Sequence, residues 1–585
     1  MSYNPRIKNI SGGTVDISGS LAATNVSTYV SASNANIATV VANSISASTV
    51  DSGTSLDITL KSVKSSIRKV TSSTSVQTTD SVILVDAASG SVGLTLPSAS
   101  LVPGQRFTVK KVDSTGNQIN VDGIDKINTY FEYYVLKAQN PYNNQSTINP
   151  SDNYGYSVAT SGDGNTIVVG AINDELTPFA ATAPSHGLVY IYNLSGSNLV
   201  QYWPLLDFPS TAQTSDRCGF SLAVDSGGNR IVVGNPYDEK VGGSSSSGTA
   251  YVYRKTVSNS WTNETILYGS LATNSNDNFG YSVCINDAGD VIAVSAINDE
   301  VAGGASSSGL VYVYTRSGTT WTQSAILSCS LSVGDQVGWS VDINAAGDRI
   351  VVGAQYDERA GGNGSSGLAY IFIKSDSTWR EQQVLSGSFA VDASDLLGCA
   401  VSMNGSGDRL IVGAYGDETT GIGTGTAYIF SSGSTGWIET SVLTGSYTQD
   451  GEHFGYSVSM NHAGDRVVVG AKLDDISDTG SYGLVYVFSS GSTGWQQASV
   501  LTGTYAIDQS DSFGNTVAFD ASGSQIVVGA PDDEHPSYAG NSGSAGLAYV
   551  YTSKQTIDLW PLKSLSSQNE SVTVISDGTG SWSII

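Results

Sequence analysis

One motif, written seven times, constrains this chain more than anything else in it: an FG-type pair, a polar turn around a glycine, and a run of the IVVGA type. The turn-and-strand segments are SGDGNTIVVGA (161–171), DSGGNRIVVGN (225–235), NDAGDVIAVSA (286–296), NAAGDRIVVGA (344–354), NGSGDRLIVGA (404–414), NHAGDRVVVGA (461–471) and DASGSQIVVGA (520–530). The glycines ahead of them, Gly155, Gly219, Gly280, Gly338, Gly398, Gly455 and Gly514, fall 57 to 64 residues apart. Repeats of about this length mark architectures in which each unit buries its apolar faces against its neighbours.

Each unit continues with a strand such as GLVYVY, a short turn, a Trp in most copies (Trp261, Trp321, Trp379, Trp437, Trp495) and a further strand such as SAILSCS. Four short strands separated by Gly, Asn, Asp and Ser make a propeller blade, and alternation along them suits sheets stacked around an axis. The seventh unit has GLAYVYTSK (546–554) but no fourth strand, whereas YFEYYVLKAQ (130–139) stands alone before the first. Lending that segment to the last blade closes the ring and removes its exposed edges. The expected fold is therefore all-β, with a closed seven-bladed propeller over residues 130–555.

The charged fraction is 13%, about half the roughly 25% of an average soluble domain. Net charge is -26, and the segment between residues 130 and 555 carries all of it, since 1–129 and 556–585 offset each other. Such a surface repels phosphate backbones, so no nucleic-acid partner is expected. No apolar run approaches membrane-spanning length, so no membrane insertion is expected, and MSYNPRIKNISGG has no signal-peptide character. The four cysteines (Cys218, Cys284, Cys329, Cys399) lack CxxC or regular spacing and read as small buried residues.

The FG followed by GA, with aromatic-rich third strands, is similar to the FG-GAP repeats of integrin α-subunit propellers and their microbial relatives. The resemblance implies a binding platform that recognises proteins or glycans through loops on one face. It also implies calcium in the turn between strands one and two, held by a DxDxDG-like loop. Here the chain departs from the pattern: the nearest match, 161–165, offers Asp163 and Asn165 with a single carboxylate. A turn capped by Asn or Asp accounts for the other copies without metal, so no cofactor is expected and calcium has only this weak candidate.

A more regular acidic set follows every second strand: Asp174-Glu175, Asp238-Glu239, Asp299-Glu300, Asp357-Glu358, Asp417-Glu418, Asp474-Asp475 and Asp533-Glu534. Another acid precedes the FG glycine in six units, as Asp152, Asp216, Asp277, Asp335, Asp395 and Asp511. Loops two-to-three and four-to-one emerge on one face, so both sets are expected to ring one rim, as structural caps recurring with the blade. Symmetry breaks in the stretches after the acidic pairs, where loops on a rigid scaffold carry recognition. The longest, with Phe179, His186, His535 and Tyr538, are neighbours across the closure and form the candidate ligand-binding patch.

No catalytic residues stand out: His186, His453, His462 and His535 show no metalloenzyme spacing, and there is no GxSxG elbow, P-loop or dinucleotide fingerprint. The chain is not expected to be an enzyme. Flanking the repeats, TDSVILVD, a TLP step, a TVKK strand and a terminal ESVTVISDGTGSW resemble, read consecutively, the small β-domain of many viral and phage fibre proteins. That resemblance implies a β-sandwich-like domain split as 76–129 and 556–585, with the propeller inserted in one of its loops. Residues 1–75, low in complexity, would be an N-terminal shaft and anchor; their composition alone fits a loosely β tail as well.

The expectation from both resemblances is a virion surface fibre or spike, homotrimeric, attached to other virion proteins through its N-terminus. Its propeller head would bind a host cell-surface protein or glycan. A bacterial surface or secreted adhesin is the alternative, and a polysaccharide-active enzyme the third.

Overall fold

The computed structural model describes residues 130–137, 152–174, 186–195, 198–202, 216–238, 245–256, 260–301, 304–329, 332–357, 364–417, 423–447, 449–475, 481–491, 494–506, 510–533 and 545–553 of the repeat region. Outside it, residues 39–41, 56–60, 63–72, 74–75, 82–85, 88, 92–95, 106–111, 119–122, 564–565, 571–576 and 582–584 are described. The chain divides into two compact units, Tyr130–Ser553 and Met1–Thr129 with Lys554–Ile585. No helix occurs among the described residues.

The larger unit is a seven-bladed propeller of four-stranded antiparallel sheets. Blade 1 runs Tyr154–Thr160, Thr166–Ala171, Leu188–Ser195 and Asn198–Tyr202. In blade 7, Thr516–Phe519, Gln525–Ala530 and Leu547–Ser553 are completed by Tyr130–Leu136, with Ser553 opposite Tyr130 and Ala548 opposite Leu136. The Tyr130 hydroxyl locks this closing strand by donating to the Gly523 carbonyl at 2.5 Å, beside the Arg466 guanidinium. First strands touch those of both neighbouring blades around the whole ring, so they line the axis.

Strand alternation is narrower than the sequence suggests. Second strands such as Thr166–Ala171 and Arg466–Ala471 are buried along their whole length. Both faces of a middle strand meet a neighbouring blade, and β-branched Val and Ile fill that space. Alternation survives in fourth strands such as Thr320–Leu327.

The turn between strands one and two is built by its first residue. Asn344 accepts from the Asp348 and Arg349 amides at 3.0 Å each and donates to the Asp348 carboxylate at 2.8 Å. Asn286, Asn404 and Asn461 repeat the arrangement. The glycine between them sits at positive φ, +70° at Gly347, which a residue without Cβ adopts freely.

FG and GA are two halves of one contact. A Cβ on Gly413 would lie 2.0 Å from the carbonyl oxygen of Gly455 in the next blade, and one on Gly529 would lie 1.9 Å from that of Gly155, across the closure. Blade 3 alone places a side chain there, Ser295. A second glycine, ahead of each third strand, meets the next blade's FG position: at Gly425 (φ +81°) a Cβ would stand 2.0 Å from the Phe454 oxygen. Backbone-to-backbone approach of this kind is why the repeat cannot spare its glycines.

In the smaller unit, Val63–Val70, Val82–Val85 and Arg106–Lys111 pair in parallel in one sheet, and Thr74–Ser75, Val92–Thr95 and Ile119–Asp122 in another. Consecutive strands thus alternate between two sheets, a winding path that parallel pairing requires. Strands following the propeller join both sheets: Ser571–Ser576 lies antiparallel to Arg106–Lys111, and Ser564–Leu565 to Ile119–Asp122. The terminal hairpin read in ESVTVISDGTGSW is present as Ser571–Ser576 with Trp582–Ile584. Thr39–Val41 and Leu56–Leu60 extend the same sheet, and the rest of the shaft expected over 1–75 lies almost wholly outside the described residues.

Candidate functional site

The face bearing the two-to-three and four-to-one connections is organised by buried acids. Asp174, Asp238, Asp299, Asp357, Asp417, Asp474 and Asp533 are all buried, and each accepts from a tyrosine hydroxyl on the third strand of its own blade. The Tyr190–Asp174 and Tyr486–Asp474 bonds measure 2.5 Å. The backbone carbonyl of each acid also accepts from the glycine that starts the next strand, as Gly187 N to Asp174 O at 3.1 Å and Gly546 N to Asp533 O at 2.8 Å. These carboxylates hold the ends of the loops and do not form an exposed acidic rim.

The acids before the FG glycine are buried as well, and the series has a seventh member, Glu452, that a search for Asp overlooks. Burial raises Asp277 and Asp299 to about 6, with Glu300 pushing Asp277 up further and Asp277 doing the same to Asp299. Asp395 is likewise pushed up to about 6, by burial and then by Asp417. Burial and the neighbouring Asp474 push Glu452 up to about 8. Desolvated like charges at close range retain protons.

Of the other candidates, Glu300 is half-buried and Asp475 buried. Glu175, Glu239, Glu358, Glu418 and Glu534 lie outside the described residues, as do Phe179, His535 and Tyr538. His186 is half-buried, and its carbonyl accepts from the Cys218 amide of the next blade at 2.8 Å. Asp163 accepts from Ser161 Oγ at 2.5 Å, from the Asn165 amide at 3.0 Å and from Asn165 Nδ2 at 2.7 Å, so its turn is closed by its own side chains. Among the described residues no three His, Cys, Asp or Glu side chains come together as metal ligands. Cys218, Cys284 and Cys399 are buried thiols and Cys329 is partly exposed.

What breaks the sevenfold symmetry is the residue after each FG glycine, in or just before the axial strand: Tyr156, Phe220, Tyr281, Trp339, Cys399, Tyr456 and Asn515. In blades 1 to 4 these rings touch in succession, with centroids 5.2 Å (Tyr156–Phe220), 4.9 Å (Phe220–Tyr281) and 4.9 Å (Tyr281–Trp339) apart. Tyr237 and Tyr356 back the arc edge-on against Phe220 and Trp339. Blades 5 and 6 add Tyr415, 5.4 Å from Tyr456 and 5.0 Å from His453. The Tyr156 and Tyr281 phenols are held well above their ordinary range by burial first, then Tyr156 by Tyr456 and Tyr281 by Tyr156, with Tyr237 and Tyr456 also raising Tyr281.

Two cations complete this axial collar. Lys472 Nζ stands 3.5 Å from the Tyr456 centroid and Arg217 Cζ 4.7 Å from that of Tyr237. The Tyr, Phe and Trp of the collar are half-buried, neither sealed in a core nor open to solvent. Aromatic walls with convergent hydroxyls and a few charges are the composition of a ligand site.

An FG-GAP repeat family model matches residues 146–192, 321–372, 379–430 and 437–488, which span the FG-to-GA segments of blades 1, 4, 5 and 6. The chain thus carries FG-GAP repeats on a seven-bladed propeller. Comparison with curated proteins gives no match. Among solved structures, the periplasmic gluconolactonase PpgL of Pseudomonas aeruginosa is similar at 14% identity and a TM-score of 0.39, over 63% of this chain and 88% of that one. The likeness is too distant to transfer an activity.

Proposed function

We propose that this chain is a recognition protein, a fibre- or spike-like virion surface component whose propeller binds a host surface protein or glycan and performs no catalysis. The axial collar carries the reading: it is aromatic, only partly buried, asymmetric and flanked by cations, whereas the acids that recur in every blade are spent on holding loops. Recognition normally departs from scaffold symmetry in this way. Presentation by a fibre-like unit is supported by strands on either side of the propeller sharing two sheets, and by chain entry and exit at one paired position, Tyr130 opposite Ser553.

The test is attachment of labelled full-length protein to host cells, against Tyr281→Ala and Tyr456→Ala, which remove collar walls. Loss of attachment in both, with unfolding midpoints held, is the expected result; full attachment by both overturns the reading. Light scattering on the full chain addresses the fibre half, for which a trimer is expected and a monomer contradicts it.

A further inference from the structure

We propose that the axial collar takes an acidic sugar, a pyranose whose carboxylate or sulfate is met by Lys472 and Arg217 while its ring rests on the tyrosine walls. The inference rests on the collar being the recognition surface and adds the chemistry of what it recognises.

Its first support is an anomaly of charge. The chain has 52 acidic side chains against 26 basic ones, so a cation finds an acidic neighbour easily, as Arg230 finds Glu264 at 2.9 Å. Arg217 and Lys472 do not: among the described residues neither makes an ion pair, and each instead stands over a tyrosine face. Both are electrostatically tied to collar members of other blades, Arg217 to Tyr156 and Lys472 to Cys399. Cations held by ring quadrupoles keep their capacity for an anion, because among the described residues no carboxylate pairs with them.

The walls give the second support. Successive ring centroids 4.9 to 5.2 Å apart along blades 1 to 4 present apolar surface suited to the C–H face of a pyranose. Phenols held protonated both donate and accept, which is what sugar hydroxyls require. A neutral sugar leaves the cations unused, an aliphatic acid leaves the rings unused, and a nucleic acid is repelled by the surrounding charge of -26. An acidic sugar uses every element.

The experiment titrates full-length protein with glucuronic acid, N-acetylneuraminic acid and glucose 6-sulfate, with glucose as the neutral control, by saturation-transfer NMR. The two carboxylates and the sulfate separate the possible sources of charge. At least one acidic sugar is expected to bind tenfold tighter than glucose, and Lys472→Gln with Arg217→Gln to shrink that preference below twofold. Tyr281→Phe, which keeps the ring and removes the hydroxyl, is expected to weaken all sugars alike. Equal affinity for acidic and neutral sugars, acidic binding that survives the double substitution, or a poly-glutamate peptide binding where no sugar does, each overturns the proposal. If no sugar binds yet cell attachment still depends on Tyr281 and Tyr456, the acidic-sugar inference falls and the recognition reading stands. If acidic sugars bind and attachment ignores the collar, the reverse holds.

Discussion

Gly425→Ala and Gly451→Ala form a matched pair that isolates what blade-to-blade contact contributes. Both glycines sit at nearly the same left-handed conformation, φ +81° and +83°. Both precede blade 6, whose first strand is Phe454–Met460. A methyl at Gly451 meets nothing within 4 Å, whereas at Gly425 it meets the Phe454 oxygen at 2.0 Å and nitrogen at 2.6 Å. Alanine in left-handed backbone costs roughly 1–2 kcal/mol at either position. Gly425→Ala adds overpacking of about 1–3 kcal/mol, and the movement that relieves it strains the Gly425 N to Asp417 O and Phe454 N to Thr424 O bonds, both 3.0 Å. With an unfolding entropy of roughly 2.1 cal/mol/K per residue, a unit the size of Tyr130–Ser553 loses about 1 °C per kcal/mol. Scanning calorimetry on the full chain should therefore show a midpoint lowered by about 1–2 °C for Gly451→Ala and about 2–5 °C for Gly425→Ala. Equal shifts would show that the interface tolerates a methyl and that the glycines are kept for φ alone.

Three other outcomes follow from the same geometry. Tyr428→Phe leaves Asp417 buried without its hydroxyl donor and should destabilise by roughly 1–3 kcal/mol; pairing it with Asp417→Asn should cost less than the sum of the two, and strict additivity would refute their coupling. Because Asp277, Asp299 and Asp395 are raised to about 6 and Glu452 to about 8, the folded state binds more protons than the unfolded one above pH 4. Stability from these groups is thus full below about pH 4 and lost as pH climbs through 6 to 8; melting at pH 5, 6.5 and 8 should show a falling midpoint, and a rising one contradicts the assignment. Tyr130→Phe removes the hydroxyl between Gly523 and Arg466 and should lower the midpoint in urea by an amount worth about 1–2 kcal/mol, with an unchanged midpoint speaking against a closing lock.

Much of the propeller is legible in the sequence because its determinants are local and repeated. The FG, the Asn-to-Asp turn and the GA each stand at fixed spacing, and even the loan of YFEYYVL to the last blade shows as one strand missing and one left over. The collar is written there too, as an aromatic after the FG glycine in five of seven repeats, but its direction is not. The pairing register slips between Tyr154 and Ser157, between Phe279 and Val283, and between Phe454 and Ser457. A bulge re-aims the residues inside it, so a period of two cannot say which side chain meets the axis. The acids are legible as caps from their recurrence, but their partner is not: the tyrosine that reaches each one stands 11 to 16 residues later. The smaller unit escapes because short Val/Thr strands do not disclose whether their partner is adjacent in sequence or a turn of the winding path away.

The borrowed strand also sets an order of events during synthesis. Tyr130–Leu136 leaves the ribosome first among the propeller's strands and pairs with Leu547–Ser553, which leaves last. At roughly 5–20 residues per second, that partner is on the order of a minute away. By the end of that time, six finished blades have no ring to belong to, and an aromatic strand, YFEYYVL, still lacks its native partner. Closure is then a single late event between segments some 420 residues apart, and the expected vulnerable species is an open, nearly complete horseshoe whose free strand can join the wrong molecule.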